Sequence, residues 1–445
     1  MDKLLHYPLG KIIKREIHYD ELTPIQVYST LGGVGSCMFE SAHDEGYGKY
    51  SFIGINPLAT FSAIANSITI DINGTKTTFS GNPYDYLRQF SVSRKSFGFV
   101  AYDAVRLKEK IPDRHAPKQT PDFLFHIYQT IIAFDHNSKT LIFRHEGSEG
   151  ELDEIVKKSL NPSQVLKFRV ATPLKVTTNI TDDEFMDMVR MAQEYIKAGD
   201  IFQVVLSRVF SAKVDAKAFD IYRALRQISP TPYLTFFEED GFSIASASPE
   251  LLVGVKNGII ETIPIAGTCK AGDDINILLS DPKENAEHVM LVDLARNDVG
   301  FVSKPGTVKV SEYKSIKAYS HVSHIVSRVI GELDSKYNPL DALKAILPAG
   351  TLSGAPKIRA MEIIDELETS KRGIYGGSIM MIDEKGDITS AITIRTALIY
   401  PDYVEVRTGA GIVLDSVPQK EAEETKLKAL GVIKALELAN GGLIE

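Results

Sequence analysis

The chain contains, from residue 281 to residue 300, the run Asp281-Pro-Lys-Glu-Asn-Ala-Glu-His-Val-Met-Leu-Val-Asp-Leu-Ala-Arg-Asn-Asp-Val-Gly300. This run predicts a central helix: Asp281 can cap it, Pro282 suits the first helical position, and Glu284 can close a capping box. Glu284 and Glu287 are three residues apart and therefore share one helical face. Two such carboxylates form half of a site for a hard cation. Alternatively, Glu284 only closes the cap and Glu287 is a surface charge.

A second acidic helix is predicted near the C-terminus, where Ser416-Val-Pro418 precedes Glu421, Glu424 and Lys428. Offsets of three and seven residues place these three side chains on one helical face. Glu424 and Lys428 taken alone could be an ordinary surface ion pair. Together, the two helices offer four carboxylates, whereas Mg²⁺ usually keeps several waters and binds through few protein ligands. We therefore expect a Mg²⁺ site that holds a small molecule bearing carboxylates.

Composition excludes several classes of protein. The 445 residues include 50 Lys and Arg against 58 Asp and Glu, a formal net charge of −8, and no basic stripe is visible. Nucleic acid is therefore not expected as a partner. The only cysteines, Cys37 and Cys269, exclude a disulfide scaffold or a cysteine-based zinc site. No run is apolar enough for a signal core or a membrane span, so a cytoplasmic location without membrane association is expected.

The order of elements along the chain predicts an α+β fold. Residues 1–20 are expected to form an arm, and residues 20–145 to form mainly short strands. Residues 145–180 are charged and polar and are predicted to be a linker. Residues 180–435 mix helices and strands without regular βαβ spacing. We expect antiparallel sheets in a layered core with flanking helices, and two regions, 20–145 and 180–435, intertwined in one compact unit.

Three features are candidate anion-binding sites. The loop Gly350–Lys357 leads into a predicted helix, whose N-terminus favours an anion, although Pro356 argues against a nucleotide-binding loop. Gly409 and Gly411 lie between two strand-like runs and could receive a carboxylate on bare backbone amides, or could only permit a bulge. Arg395 is expected on a strand, where it could bind a carboxylate or form a structural ion pair.

Several ordered segments together resemble the chorismate-utilising enzymes, and within that family most of all the anthranilate synthase component I branch. They are Pro264-Ile-Ala-Gly-Thr268, Asp281–Gly300, Tyr319-Ser-His-Val-Ser-His-Ile-Val, Gly350–Lys357 with Arg359-Ala-Met-Glu-Ile-Ile, and Gly409-Ala-Gly-Ile-Val. The resemblance covers roughly residues 20–435. It implies a fold of two antiparallel sheets with flanking helices, chorismate as the substrate and Mg²⁺ as the cofactor.

The resemblance also implies roles for individual residues. The implied metal ligands are Glu284, Glu287, Glu421 and Glu424. The implied chorismate-binding residues are Tyr375, Arg395, Gly409, Gly411, Lys428, Gly267 and Thr268. The implied catalytic residues are His324 for aromatisation, Glu250 as an acid at the departing hydroxyl, Thr351 beside the ring, and Gln203.

A partner and a regulatory ligand are implied in the same way. No glutamine-hydrolysing nucleophile can be recognised in this chain, so a separate glutamine amidotransferase subunit is expected to supply ammonia. The resemblance places an inhibitory tryptophan site at Ser41, Pro232, Tyr233 and Leu234. Here Ser229 and Leu234 stand where relatives commonly have Asn and Met.

Two positions distinguish related activities. Family members that add water carry a lysine base where this chain has Gln203, and glutamine cannot deprotonate water. Some aminodeoxychorismate synthases carry a nucleophilic lysine where this chain has Ala266, but others also have alanine. We therefore predict conversion of chorismate and ammonia to anthranilate and pyruvate through an aminodeoxyisochorismate intermediate.

Three alternatives remain open at the level of sequence. One is aminodeoxychorismate synthase component I, which serves the folate pathway and does not aromatise its product. Another is a non-catalytic ligand-sensing relative, against which the full set of predicted site residues argues. The last is a Mg²⁺-dependent hydrolase, for which neither a nucleophile nor a phosphate-binding loop is evident.

Overall fold

The computed structural model of the protein describes residues 10–41, 48–270, 282–318 and 322–444. For residues 266–270, 282–284, 318, 322 and 323 it describes the backbone alone. Asp281, the predicted cap of the central helix, lies outside the described residues.

The α-helices are α1 Pro24–Leu31, α2 Pro83–Phe90, α3 Glu149–Leu160, α4 Asp182–Lys197, α5 Ala218–Ile228, α6 Pro282–Gly300, α7 Pro339–Ile346, α8 Lys357–Leu367 and α9 Pro418–Asn440. Short 3₁₀ helices cover Tyr102–Leu107 and Gly350–Leu352. In the described part of the chain, no helix is long and apolar enough to cross a membrane. The two acidic helices predicted from the sequence are α6 and α9, and each has a proline in its first position.

The N-terminal strands are β1 Ile12–His18, β2 Cys37–Glu40, β3 Tyr50–Ile64, β4 Ser67–Ile72, β5 Thr75–Ser80, β6 Ser96–Val100, β7 Phe123–Asp135 and β8 Thr140–Glu146. The middle of the chain forms β9 Lys167–Phe168, β10 Thr177–Thr178, β11 Gln203–Ala212, β12 Tyr233–Glu239, β13 Phe242–Ser248, β14 Leu251–Lys256, β15 Ile259–Thr262 and β16 Ile265–Lys270. The remaining strands are β17 Lys309–Ala318, β18 Val322–Glu332, β19 Gly354–Ala355, β20 Ser378–Ile382, β21 Ile388–Ile392, β22 Thr396–Ile399, β23 Val404–Ile412 and β24 Leu443–Ile444.

Antiparallel pairing joins strands from both ends of the chain. One continuous series of neighbours runs through β10, β11, β23, β22, β13, β12, β2, β3, β7, β6, β20, β21, β14, β15, β18 and β17. The N-terminal strands β2, β3, β7 and β6 therefore lie between β12 and β20. The predicted α+β class with antiparallel strands is confirmed, while the domain boundaries at residues 145 and 180 stay a prediction.

Local sequence explains several of these elements. Helix α4 begins where Thr181 and Glu184 form a capping box: each side chain accepts a hydrogen bond from the other residue's backbone amide. The turn between β4 and β5 holds Asn73 and Gly74 at φ values of 50° and 83°, a conformation these residue types tolerate. Helices α4 and α8 then cover one face of β11 with buried apolar side chains, among them Phe185 and Ile363.

Two segments differ from the sequence-based expectation. The predicted N-terminal arm contains β1, which pairs with β8. Only Ile13 of this strand is fully buried, and its charged side chains made the strand difficult to recognise from the sequence. The predicted linker at 145–180 begins with α3, a capped helix that buries Leu152 and Val156. Its start is the S-x-x-E signature Ser148 to Glu151, which the surrounding charges obscured.

Candidate active site

The paired strands β11 and β23 carry the centre of the candidate site. Gln203 is the first residue of β11, Val205 lies opposite Gly411, and Ser207 lies opposite Gly409. Strand β23 runs unbroken through both glycines, so the expected break between two strands does not occur. The two glycines are two residues apart on one strand, about 7 Å, and so face the same side.

Both glycines are required by close approach of neighbouring groups. A Cβ atom at Gly411 would lie 2.8 Å from Nε2 of Gln203. A Cβ atom at Gly409 would lie 2.5 Å from the carbonyl oxygen of Leu206 and 3.0 Å from the hydroxyl of Tyr375. Real Cβ atoms do not make such contacts, so the predicted substrate-facing glycines keep this surface open.

We predict different outcomes for alanine at the two glycines. Gly411→Ala displaces a flexible amide, so activity is expected to fall while stability changes little. Gly409→Ala presses on backbone, so the free energy of unfolding is expected to fall by about 1–3 kcal/mol, as for other overpacked sites. Urea unfolding and steady-state kinetics of both variants test this. Equal loss of stability in the two would contradict it.

The central acidic helix α6 reaches β11 through Glu287. The Nε2 amide of Gln203 donates to Oε1 of Glu287 at 3.2 Å. Oε1 of Gln203 is buried and has no hydrogen-bond partner among the described residues. Glu284 lies one turn earlier on α6, but its side chain is outside the described residues. A buried acceptor without a donor is costly, which marks this end of β11 as a place for a ligand.

The second acidic helix, α9, reaches the same strands through Lys428. Nζ of Lys428 is 2.6 Å from Oε1 of Glu424, so the i,i+4 ion pair considered from the sequence is present. The same Nζ donates to the carbonyl oxygen of Gly409 at 3.1 Å. Glu421, one turn before Glu424, is buried with only 7% of its surface exposed. Helix α9 therefore presents carboxylates beside the glycines of β23.

The two helices carry the carboxylates that were predicted to bind a hard cation. Gln203 connects α6 to the start of β11, and Lys428 connects α9 to β23, so both acidic faces converge on one strand pair. Carboxylate oxygens are ligands that Mg²⁺ prefers. Among the described side chains, which exclude Glu284, no group of three His, Cys, Asp or Glu residues is positioned to hold a metal. The metal-ligand assignment stays a prediction.

Glu250 and Thr351 lie together at a small cavity that Leu291 and Leu294 of α6 also line. The hydroxyl of Thr351 donates to Oε1 of Glu250 at 3.2 Å. Burial raises the pKa of Glu250 to about 8, and Thr351 and the charge of Lys428 oppose this only in part. Glu250 is therefore a neutral acid at neutral pH, able to donate a proton.

Arg395 and Tyr375 form a further part of the site. Arg395 has a φ of 52° and lies in the connection between β21 and β22, not on a strand as expected. Arg395 is exposed to solvent, and desolvation by surrounding protein atoms lowers the pKa of its guanidinium. The described residues provide no hydrogen bond or ion pair to this guanidinium. Tyr375 is buried, which raises its pKa to about 12, and it interacts electrostatically with Arg395.

The remaining predicted catalytic residue, His324, lies on β18. Its backbone pairs with Thr268 on β16 and with Lys317 on β17. The pairing shifts register between Ala266 and Thr268, which places Gly267 in an irregular step of the strand. The backbone of His324 therefore lies beside the segment that ends at Thr268, one of those that carry the family resemblance. The side chain of Thr268 is outside the described residues.

The predicted tryptophan-site residues meet where β2 pairs with β12. Leu234 lies opposite Glu40, and Ser41 follows directly after β2. Leu234 is 1% exposed and packs in a hydrophobic core, whereas Pro232 and Tyr233 line a small cavity of about 20 Å³. The structure thus brings the four residues to one junction, and their binding role stays a prediction.

Lys357, the last residue of the predicted anion-binding loop and the first residue of α8, connects three helices. Nζ of Lys357 is 2.6 Å from Asp298 of α6 and donates to the carbonyl oxygen of Ile346 at 3.1 Å. This lysine therefore joins α8 to α6 and α7, and the absence of nucleotide binding at the loop stays a prediction.

One buried charge cluster escaped the sequence-based prediction. Glu368 lies between Arg372 and Arg407, with contacts of 2.6 and 2.7 Å, and all three side chains are almost fully buried. The spacing Glu-x-x-x-Arg was the available signal, but it usually marks a surface ion pair. We call Glu368, Arg372 and Arg407 the arginine clamp.

Comparisons with known proteins identify the family of this chain. Residues 36–434 match the family model described as chorismate binding enzyme, and the chain belongs to that family. It is 39% identical to anthranilate synthase component 1 of Acetivibrio thermocellus, over 96% of this chain and 95% of that protein. It is 40% identical to anthranilate synthase component 1 of Aquifex aeolicus (strain VF5), over 95% and 94%. The crystal structure of anthranilate synthase component I from Streptococcus pneumoniae TIGR4 matches with a TM-score of 0.80 at 37% identity, over 94% and 98%.

Proposed function

We propose that this chain is the synthase component of anthranilate synthase, which converts chorismate and ammonia to anthranilate and pyruvate as the first committed step of tryptophan biosynthesis. Near full-length similarity to relatives that carry that name supports the proposal. The observation that carries it is the position of Gln203. Its amide donates to Glu287 at the entrance of β11, where a water-activating lysine would be needed for isochorismate synthesis.

The proposed reaction uses the neutral acid and the open strand surface. Glu250 protonates the departing C4 hydroxyl while ammonia attacks the ring, which yields aminodeoxyisochorismate. His324 then accepts the ring proton as pyruvate leaves, and the ring becomes aromatic. Arg395, Tyr375 and the backbone at Gly409 and Gly411 hold the carboxylates of chorismate.

Mg²⁺ is the proposed cofactor, and its ligands would come from Glu284, Glu287, Glu421 and Glu424. When bound, the ion would supply positive charge to offset a substrate carboxylate and the charge that develops as the hydroxyl leaves. The orphaned Oε1 of Gln203 beside Glu287 supports a polar ligand at this place. Lys428 contacts both Glu424 and the carbonyl oxygen of Gly409, and so orients the acidic face of α9 toward β23.

Partner, regulator and location follow from the same proposal. Ammonia is delivered by a separate glutamine amidotransferase subunit, since the relatives are named as component 1 of an enzyme. Tryptophan inhibits by binding at the junction of β2 and β12, next to Ser41 and Tyr233. The protein acts in the cytoplasm.

The decisive experiment combines purified protein, chorismate, Mg²⁺ and ammonium at mildly alkaline pH, with anthranilate followed by fluorescence. Anthranilate that appears without a partner and depends on Mg²⁺ supports the proposal. Consumption of chorismate without fluorescence indicates aminodeoxychorismate as the product. No consumption of chorismate contradicts an enzymatic role and favours a ligand-sensing subunit.

The metal assignment makes a prediction about Glu424. Glu424→Ala is expected to raise the Mg²⁺ concentration needed for half-maximal activity by at least about 10- to 100-fold, since even outer-shell changes have effects of that size. Glu423→Ala is the matched control, because Glu423 is an exposed neighbour on α9 that pairs with Lys426. Titration of activity with Mg²⁺ measures both. The same Mg²⁺ requirement in the two variants would rule out Glu424 as a ligand.

A further inference from the structure

Arg372 occupies a central position in the arginine clamp, beneath the predicted substrate-binding surface. Its side chain is 1% exposed, and each of its nitrogens donates to an acceptor. Burial disfavours its charge, but the adjacent carboxylate of Glu368 more than compensates, so the pKa of Arg372 is raised and the guanidinium stays charged. A buried guanidinium has fixed geometry, so its contacts fix the relative positions of the elements it touches.

Two of these contacts are to the backbone of elements that carry predicted site residues. One terminal nitrogen donates to the carbonyl oxygen of Leu352 at 2.5 Å. Leu352 directly follows Thr351, the hydroxyl of which bonds to Glu250. The other terminal nitrogen donates to the carbonyl oxygen of Val205 at 2.7 Å, and Val205 is the strand partner of Gly411. The side chain of Arg372 thus connects the loop that carries Thr351, beside Glu250, to the strand that pairs with Gly411.

A third contact orients the ring of Tyr375. The guanidinium of Arg372 lies 5.7 Å from the centre of the Tyr375 ring and 4.7 Å from that of Tyr102. Guanidinium groups are attracted to aromatic faces at such distances. The hydroxyl of Tyr375 lies next to Gly409, so this contact sets where the phenol meets β23.

The rest of the clamp holds Arg372 in place. Glu368 accepts from Nε and a terminal nitrogen of Arg372, and also from the backbone amide and hydroxyl of Ser207 on β11. Arg407 on β23 donates to the other oxygen of Glu368 and to the hydroxyl of Ser207. Because both paired strands are attached to Glu368, Arg372 cannot shift without disturbing β11 and β23 together.

We propose that Arg372 is a positioning residue that aligns the Thr351 loop, the Gly411 strand and the Tyr375 ring for one bound substrate. The inference rests on the proposed function for the identity of that substrate. Arg372 does not contact the substrate itself. Its effect is to keep Glu250, the proposed acid, correctly aligned with Tyr375 and Gly411, which are proposed to hold the carboxylates of the substrate.

The test compares Arg372→Lys with Arg94→Lys. Lysine keeps the charge but cannot reach Glu368, Leu352 and Val205 together. Arg94 is an equally buried arginine that pairs with Glu146 in the N-terminal region. For each folded variant, the KM for chorismate, kcat and the ratio of anthranilate formed to chorismate consumed are measured. A mere loss of folded protein lowers kcat but leaves KM and that ratio unchanged.

We expect Arg372→Lys to raise KM and to lower kcat by about 10- to 100-fold, since a shift of about 1 Å can have an effect of that order. The product ratio is expected to fall, because addition and elimination depend on different parts of the alignment, while Arg94→Lys keeps wild-type values. Wild-type KM and ratio in folded Arg372→Lys overturn the inference. If that variant does not fold, Glu368→Asp, which keeps all charges but shortens the reach, must show the same changes. Inactive wild-type protein instead overturns the proposed function.

Discussion

Glu250→Gln is expected to lower kcat by about 10²- to 10⁴-fold, the usual contribution of a positioned general acid. Glutamine keeps the shape of the side chain and can still accept the hydrogen bond from the Thr351 hydroxyl, but it cannot release a proton to a departing hydroxyl. The folded structure should be retained, because the carboxyl group it replaces is already neutral at neutral pH. Steady-state kinetics with chorismate and ammonium measure the effect.

The pH dependence of kcat/KM in the wild-type protein should reflect the ionisation of Glu250. Burial raises the pKa of Glu250 to about 8, so the protonated acid is fully present well below pH 8 and is lost as the pH rises through that value. We expect kcat/KM to decline on this alkaline side when free ammonia is held constant. Glu250→Gln has no proton to lose there, so its residual activity should not show that decline.

A matched control separates the acid from a general effect of charge. Glu261 on β15 is a carboxylate of the same sheet region that pairs with Arg328 at 2.7 Å and is partly exposed. Glu261→Gln should keep both the wild-type kcat and the wild-type pH profile. Wild-type turnover in Glu250→Gln would remove Glu250 from the mechanism.

The helices were predictable where local chemistry alone determines them. Caps and turns are encoded by neighbouring residues, as at the start of α4 after Thr181 and in the tight turn at Asn73-Gly74. The acidic faces of α6 and α9 were predictable from spacing, because residues three and seven apart share a helical face. Arg395 was misplaced on a strand because its apolar neighbours suggested a strand, whereas its positive φ depends on the tertiary structure.

Burial is the property that the sequence could not supply. The family resemblance implied that Glu250 is an acid, but its raised pKa depends on desolvation by residues distant in sequence. Glu368 and Arg372 show the ordinary spacing of a surface ion pair, and only the packing of β11 and β23 around them makes the pair internal. The orphaned oxygen of Gln203 is likewise visible only after α6 has been placed.

Glu368→Gln is expected to lower the free energy of unfolding by about 3–5 kcal/mol, since removing one partner leaves uncompensated buried charge. Here two guanidinium groups, those of Arg372 and Arg407, lose their shared carboxylate. Glu332→Gln is the control: Glu332 and Lys304 form an exposed pair at 3.2 Å, and such pairs contribute about 0–1 kcal/mol. Urea unfolding followed by circular dichroism suits a chain without tryptophan.

The effect of Glu368→Gln should also depend on pH. Burial alone would raise the pKa of Glu368, but the charges of Arg372 and Arg407 and its hydrogen bonds outweigh burial and hold that pKa below its ordinary value. The stability contributed by this carboxylate is therefore present above the ordinary glutamate pKa and is lost as the pH falls through the lowered one. The stability gap between wild-type protein and variant should be constant near neutrality and narrow in acid. A gap below about 1 kcal/mol at neutral pH would mean that the clamp behaves like a surface ion pair.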